Sequence, residues 1–137
     1  MRPFLVADEV RTLETVKARI EGAKTELAVY DEQRNPPLTL RQAWTAYLAT
    51  PNRPDTGPRT LNQYEGKFNR FMTWMEREHP ATKVMRNVTE EHAEAYASAL
   101  AGSGVTPATF NHHQGLLKLA WRVLRKKAKL DRNPWMD

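Results

Sequence analysis

Apolar side chains recur along this chain at steps of three and four, the period of helices packed on one face, and no alternating strand pattern competes with them. Val6, Val10, Leu13, Val16, Ile20, Ala23, Leu27 and Tyr30 form one such stripe, which predicts a long amphipathic helix over 7–34. Asn35-Pro36-Pro37 stops it, because proline lacks an amide proton and restricts the residue before it. Thr39-Leu-Arg-Gln42 reads as a capping box opening a second helix, with Leu40, Ala43, Trp44, Tyr47 and Leu48 at helical spacing. Pro51 to Pro58 must be a loop. The third helix starts either at a second capping box, Thr60-Leu-Asn-Gln63, or a turn earlier at Pro58. It runs to about Glu78 and buries Leu61, Tyr64, Phe68, Phe71, Met72 and Met75.

Thr89 reads as the N-cap of a short fourth helix, with Glu90 and Glu91 complementing its dipole, and Gly102-Ser-Gly104 ends it. Thr106-Pro107 opens the last helix as N-cap and N1, with Phe110, Leu117, Ala120, Trp121 and Leu124 inward. That helix fades near Lys129, and the chain closes as an extended tail through Asn133-Pro-Trp135. The expected architecture is all-α: a four-helix bundle over 37–137, preceded by the amphipathic helix and linker of 1–36. Trp44 and Trp121 fit core positions, Trp74 is ambiguous, and Trp135 suits a cap on the end of the bundle. Tyr30, Tyr47, Tyr64 and Tyr96 fit helix cores.

Charge changes the picture once it is divided. The 137 residues carry a net +5, but residues 1–36 hold six basic and seven acidic side chains, so the whole excess lies beyond Pro36. Lys118, Arg122, Arg125, Lys126, Lys127, Lys129 and Arg132 concentrate it near the end. Clustered cations of this kind are the electrostatic footprint of a polyanion binder. The chain has no cysteine, which removes disulfides, thiolate metal sites and Cys-His chemistry. There is no phosphate-binding Gly-rich loop, no nucleophile elbow and no zinc-binding histidine pattern. Adjacent His112 and His113 diverge by about 100° on a helix and suit no shared metal ion. Glu90, Glu91 and Glu94 are better read as dipole complements than as a carboxylate site. No catalytic residue, metal or cofactor is expected, and without a signal sequence or membrane span the expected location is cytoplasmic.

Contact with DNA accounts for the remaining polar positions. Arg59, Thr60, Gln63, Lys67 and Arg70 sit off the core of the third helix, and the last four step by three and four onto one face. On the last helix Thr109, His112, Lys118, Arg122 and Arg125 are left over in the same way. Such sets pair long cations, which bind phosphates, with Thr, Gln and His, which reach base edges.

The segments, in this order and spacing, resemble the core-binding domain of tyrosine recombinases, the phage-type integrases, over roughly residues 38–135. The similar stretches are Leu38 to Leu48, Arg59-Thr-Leu-Asn-Gln-Tyr leading into Phe68-Asn-Arg-Phe, Val88-Thr-Glu-Glu-His, Gly104 to His113, and Leu116 to Trp121. Asn133-Pro134 is similar to the family's boundary before its catalytic domain. The resemblance implies a four-helix domain that clamps one face of double-stranded DNA while a following domain clasps the other. Thr60, Gln63, Lys67 and Arg70 would then meet DNA from one helix, and Thr109, Asn111, His112 and Lys118 from the other. His112 stands where the family often has arginine. The family's catalytic arginines, lysine, histidines and tyrosine would all follow Asp137, so the chain is expected to bind rather than cut. Implied partners are duplex DNA, the protein's own catalytic domain and other recombinase protomers; the implied setting is the bacterial nucleoid. The rival reading is a protein-interaction adaptor working through the first helix. There Val6, Leu13, Ile20 and Leu27 hold one heptad position while Lys17 and Lys24 occupy the companion four residues on. A helix-turn-helix regulator fits poorly, since no three- to four-residue turn joins two suitable helices.

Overall fold

The computed structural model describes residues 3–34 and 36–136, and their side chains except those of residues 3–11, 31 and 32. The described chain is all-helical: α1 (Pro3–Arg34), α2 (Leu40–Ala49), α3 (Pro58–Glu78), α4 (Glu90–Gly102) and α5 (Pro107–Val123), with a 3₁₀ turn at Met85–Asn87. It divides into two units, Met1–Pro36 and Pro37–Asp137.

The first unit is α1. It begins four residues earlier than the apolar stripe predicts and ends at Arg34, as predicted. Val6 and Val10 of that stripe fall among the side chains outside the description, and Asn35 outside the described residues. Its local bonds run along its own surface: Thr25 Oγ1 donates to the Glu21 carbonyl at 2.9 Å, and the Arg34 guanidinium donates to the Tyr30 hydroxyl at 2.7 Å. Tyr30 is exposed, against the expectation of a core tyrosine.

The second unit is held by caps and by one aromatic core. Thr39 makes the expected capping box with Gln42, and Thr89 makes an analogous one with His92, whose Nδ1 accepts from the Thr89 amide at 3.0 Å. Thr106 caps α5 with Pro107 behind it. At α3 the earlier of the two predicted starts holds: Gly57 is the N-cap and Pro58 opens the helix, so Thr60 lies inside the first turn rather than at a cap. The segments entering α2 and the 3₁₀ turn are clipped together, Leu40 N to Lys83 O and Met85 N to Leu38 O, both at 2.9 Å.

Phe71 is the centre of the core. Its ring meets Tyr96, Trp121 and Trp135 edge-on at 5.0, 5.7 and 5.2 Å and stacks with Trp74 at 6.2 Å. Tyr47, Phe68, Leu100, Leu117 and Leu124 are fully buried in the same core. Trp44 packs on Tyr47 as expected, and Trp74 proves to be a buried core residue. Leu48 is exposed, because α2 turns it away from α3.

Two expectations at the C-terminal end are corrected. α5 ends at Val123, and turns rather than α-helix carry the chain to Lys129. There Leu130 N donates to Arg125 O and Lys129 N to Lys126 O, the pairing of a Schellman cap with Lys129 left-handed at φ 56°. The tail is packed rather than extended. Asn133 Nδ2 donates to the Lys118 carbonyl at 2.9 Å, which seats Pro134 and Trp135 against the core. No helix among the described residues is long and apolar enough to cross a membrane.

Candidate nucleic-acid interface

α3 is amphipathic by necessity, since Phe68, Phe71 and Met75 repeat at three and four and fix which side turns inward. Thr60, Gln63, Lys67 and Arg70 then fall on one flank of that buried side, and Trp74 continues the same line into the core. Thr60 and Lys67 are half-buried, whereas Arg59, Gln63 and Arg70 are exposed. Between Thr60 and Trp74 this flank carries no acid, and Glu78, next on the line, pairs with Arg77 at 3.0 Å. Glu65 lies about 160° around the helix from Lys67, and Glu76 pairs with Arg41 of α2 at 3.2 Å on the opposite flank. Arg70 is steadied by donating to Ser103 Oγ at 3.0 Å, and Ser103 in turn donates to the Leu100 carbonyl at the end of α4. A cation at that position also complements the α4 dipole.

α5 packs across α3, and its polar residues divide between two flanks. Thr109 and His112 are three residues apart on one side, while Asn111, Lys118 and Arg122 step by seven and four along the other. Thr109 and Lys118 point about 180° apart, nine residues at 100° each. Arg125 lies beyond the helix, exposed in the turn that follows it. The eleven residues singled out from the sequence therefore do not share one surface.

His113, which sequence reasoning passed over in favour of His112, joins the two helices. It is only 5% exposed, and its Nδ1 is buried with no hydrogen-bond partner among the described residues. Burial pushes its pKa below the usual imidazole value, and the nearby Arg70, Lys67 and His112 push it further down. The charges of Lys67 and Arg70 thus reach the buried ring of α5, which sets that flank of α3 beside α5. The signal for this was present in the sequence. His113 stands four residues before Leu117 and seven before Ala120, on the apolar line of α5.

Arg122 belongs to another neighbourhood. Burial raises the pKa of Tyr47 and Tyr64 raises it further, while Arg53 and Arg122 pull it back. Arg53 is pinned there by donating to the Leu48 carbonyl at 3.1 Å. Arg53 and Arg122 thus both lie near Tyr47, with Lys118 one turn before Arg122 on α5, a neighbourhood the sequence order did not reveal because Arg53 sits in a loop. Thr109 is less available than its position suggests, since its backbone and hydroxyl both bond the Thr106 cap, at 3.2 and 3.0 Å.

Among the described residues no three histidines or carboxylates come together as metal ligands. A surface depression of about 780 Å³ beside the start of α4 mixes Arg86, Lys129 and Arg132 with Glu90, Glu91 and Asp131. Arg132 and Glu90 pair there at 3.3 Å. The Thr60–Arg70 flank of α3 can offer cations and neutral hydrogen-bonding groups over an acid-poor surface. No family model, curated protein or solved structure matches this chain.

Proposed function

We propose that residues 37–137 bind duplex DNA, in the manner of the core-binding domain of a tyrosine recombinase, and leave strand chemistry to a separate catalytic domain. The observation that carries this reading is the flank of α3 beside α5 on which Thr60, Gln63, Lys67 and Arg70 step by three and four, with no carboxylate between them. Long cations there meet phosphates, while Gln63, Thr60 and His112 are chemically able to reach base edges. Arg59 extends the same surface. Asn111, Lys118 and Arg122 lie on the other side of α5, with Arg125 in the turn beyond it, and would meet neighbouring phosphates rather than bases.

The test is fluorescence anisotropy of a labelled random-sequence duplex titrated with the full chain across a range of salt. Binding that depends on phosphates weakens linearly in log salt, with a slope of about −0.9 per phosphate neutralised. Replacing Lys67 and Arg70 by Glu together should flatten that slope by about two and weaken binding at least tenfold at low salt. The same exchange at Arg41 and Lys83, exposed on the side of α3 that carries Glu76, should do much less. Unchanged affinity in the Lys67/Arg70 variant, with its tryptophan emission intact, would remove this surface from the reading.

A further inference from the structure

We infer that α1 pairs with the α1 of a second copy of this chain, and that the two helices run antiparallel. The seam is Leu13, Val16, Ile20, Ala23, Leu27 and Tyr30, which alternate steps of three and four over about two and a half heptads. The companion to Leu13, Ile20 and Leu27 is thus the residue three positions on, and Lys17 and Lys24 flank the seam rather than interrupt it. All six are exposed, Leu13 and Leu27 by 61% and 67%. A continuous apolar line left in water is unfavourable and marks a contact surface.

Side-chain sizes and charges select the occupant and its direction. Parallel helices would lay Ala23 on the partner's Ala23, leaving a void, and Tyr30 on the partner's Tyr30, crowding that layer. Antiparallel helices set Ile20 against the partner's Ala23, Leu13 against the partner's Tyr30 and Val16 against the partner's Leu27, so bulk is even along the seam. Arg19 and Glu26 flank one side of the line. In the antiparallel pair Arg19 faces the partner's Glu26, and symmetry repeats that attraction. In a parallel pair Arg19 would face the partner's Lys24 twice. Lys17 and Lys24 face each other across the antiparallel pair on the remaining edge, where their long stems carry the charges out to solvent.

Sedimentation equilibrium of the full chain without nucleic acid, from about 5 to 200 µM, tests this. A monomer–dimer equilibrium is expected, and Ile20→Lys with Leu27→Lys should leave only monomer. Arg19→Glu decides the direction. It sets a carboxylate against the partner's Glu26 in the antiparallel pair and should weaken dimerisation about fivefold, whereas in a parallel pair it would tighten it against the partner's Lys24. Adding Glu26→Arg should restore the antiparallel dimer. All four tryptophans lie in residues 37–137, so their emission verifies that each variant keeps its folded bundle. A wild-type monomer at every concentration overturns the inference, as does a dimer indifferent to the two lysines or tightened by Arg19→Glu. Because the measurement contains no DNA, its failure leaves the Lys67/Arg70 reading untouched.

Discussion

Replacing Phe71 by Ala should remove a large share of the stability of the 37–137 unit. Phe71 is 0% exposed and touches four other aromatic rings, three of them edge-on between 5.0 and 5.7 Å. Truncating a buried Phe costs about 3–5 kcal/mol, the spread reflecting how far the cavity can collapse. Collapse is hindered here, because the lining is made of rigid planar rings drawn from α3, α4, α5 and the tail. A loss of about 4 kcal/mol follows, against a total of about 5–15 kcal/mol for a unit this size. The midpoint of thermal unfolding should fall by about 15–30 °C. Tryptophan emission is the appropriate probe, since it reports the bundle alone, whereas far-ultraviolet circular dichroism also contains α1. Phe71→Leu keeps much of the volume and should cost under about 1.5 kcal/mol. An Ala variant that loses less than that, or a Leu variant that loses as much as Ala, would refute the view that this ring organises the core.

Acid should weaken the same unit before its carboxylates titrate. Burial, then His79, holds the pKa of His92 below the ordinary imidazole value, although Glu91 opposes this; burial, Arg70, Lys67 and His112 do the same to His113. Folding therefore favours the neutral rings, so their contribution is complete above about pH 6.5 and is lost as pH falls through the lower folded-state values. Urea midpoints should drop between about pH 7.5 and 5.5, less so in His113→Leu; a midpoint that rises on acidification would show the sign to be wrong. Two positive-φ positions should respond oppositely to exchange. Gly104, at φ 84° with open space around it, should lose about 1 kcal/mol on change to Ala from backbone strain alone, while Lys129→Gly at φ 56° should gain about 0.5–1 kcal/mol. Chemical denaturation of both variants checks the pair of signs. Thr39→Ala and Thr89→Ala should each lose about 1 kcal/mol with their capping boxes.

Helix starts were legible in the sequence because the signals for them are local. Thr39 with Gln42, Thr89 ahead of two glutamates, and Thr106 with Pro107 satisfy backbone donors within four residues, whatever the rest of the chain does. The core was legible for a similar reason: apolar spacing fixes which side of α3 or α5 turns inward. Where two local signals competed, as at Pro58 and Thr60, spacing left both open and the structure took the proline. Spacing also treated the apolar residues of α1 and those of the bundle alike. Tyr30 was expected in a core and is exposed, since periodicity gives a face and not what covers it.

The candidate surface was only half legible. The Thr60–Arg70 flank follows from one helix's own geometry. That the Lys67–Arg70 flank lies beside the buried His113, while Arg122 lies near Tyr47 and Arg53, depends on how α5 packs on α3. The sequence by itself determined the helices, the caps of α2, α4 and α5, the buried sides of the bundle helices and the segregation of positive charge beyond Pro36, all of which can be read from the chain without knowing how the helices pack. The tertiary structure alone decided which flanks meet, that His113 is sealed beneath them, and that the winding after Val123 becomes a turn. Those outcomes rest on packing between residues dozens of positions apart, whose crossing angle no spacing along a single helix records.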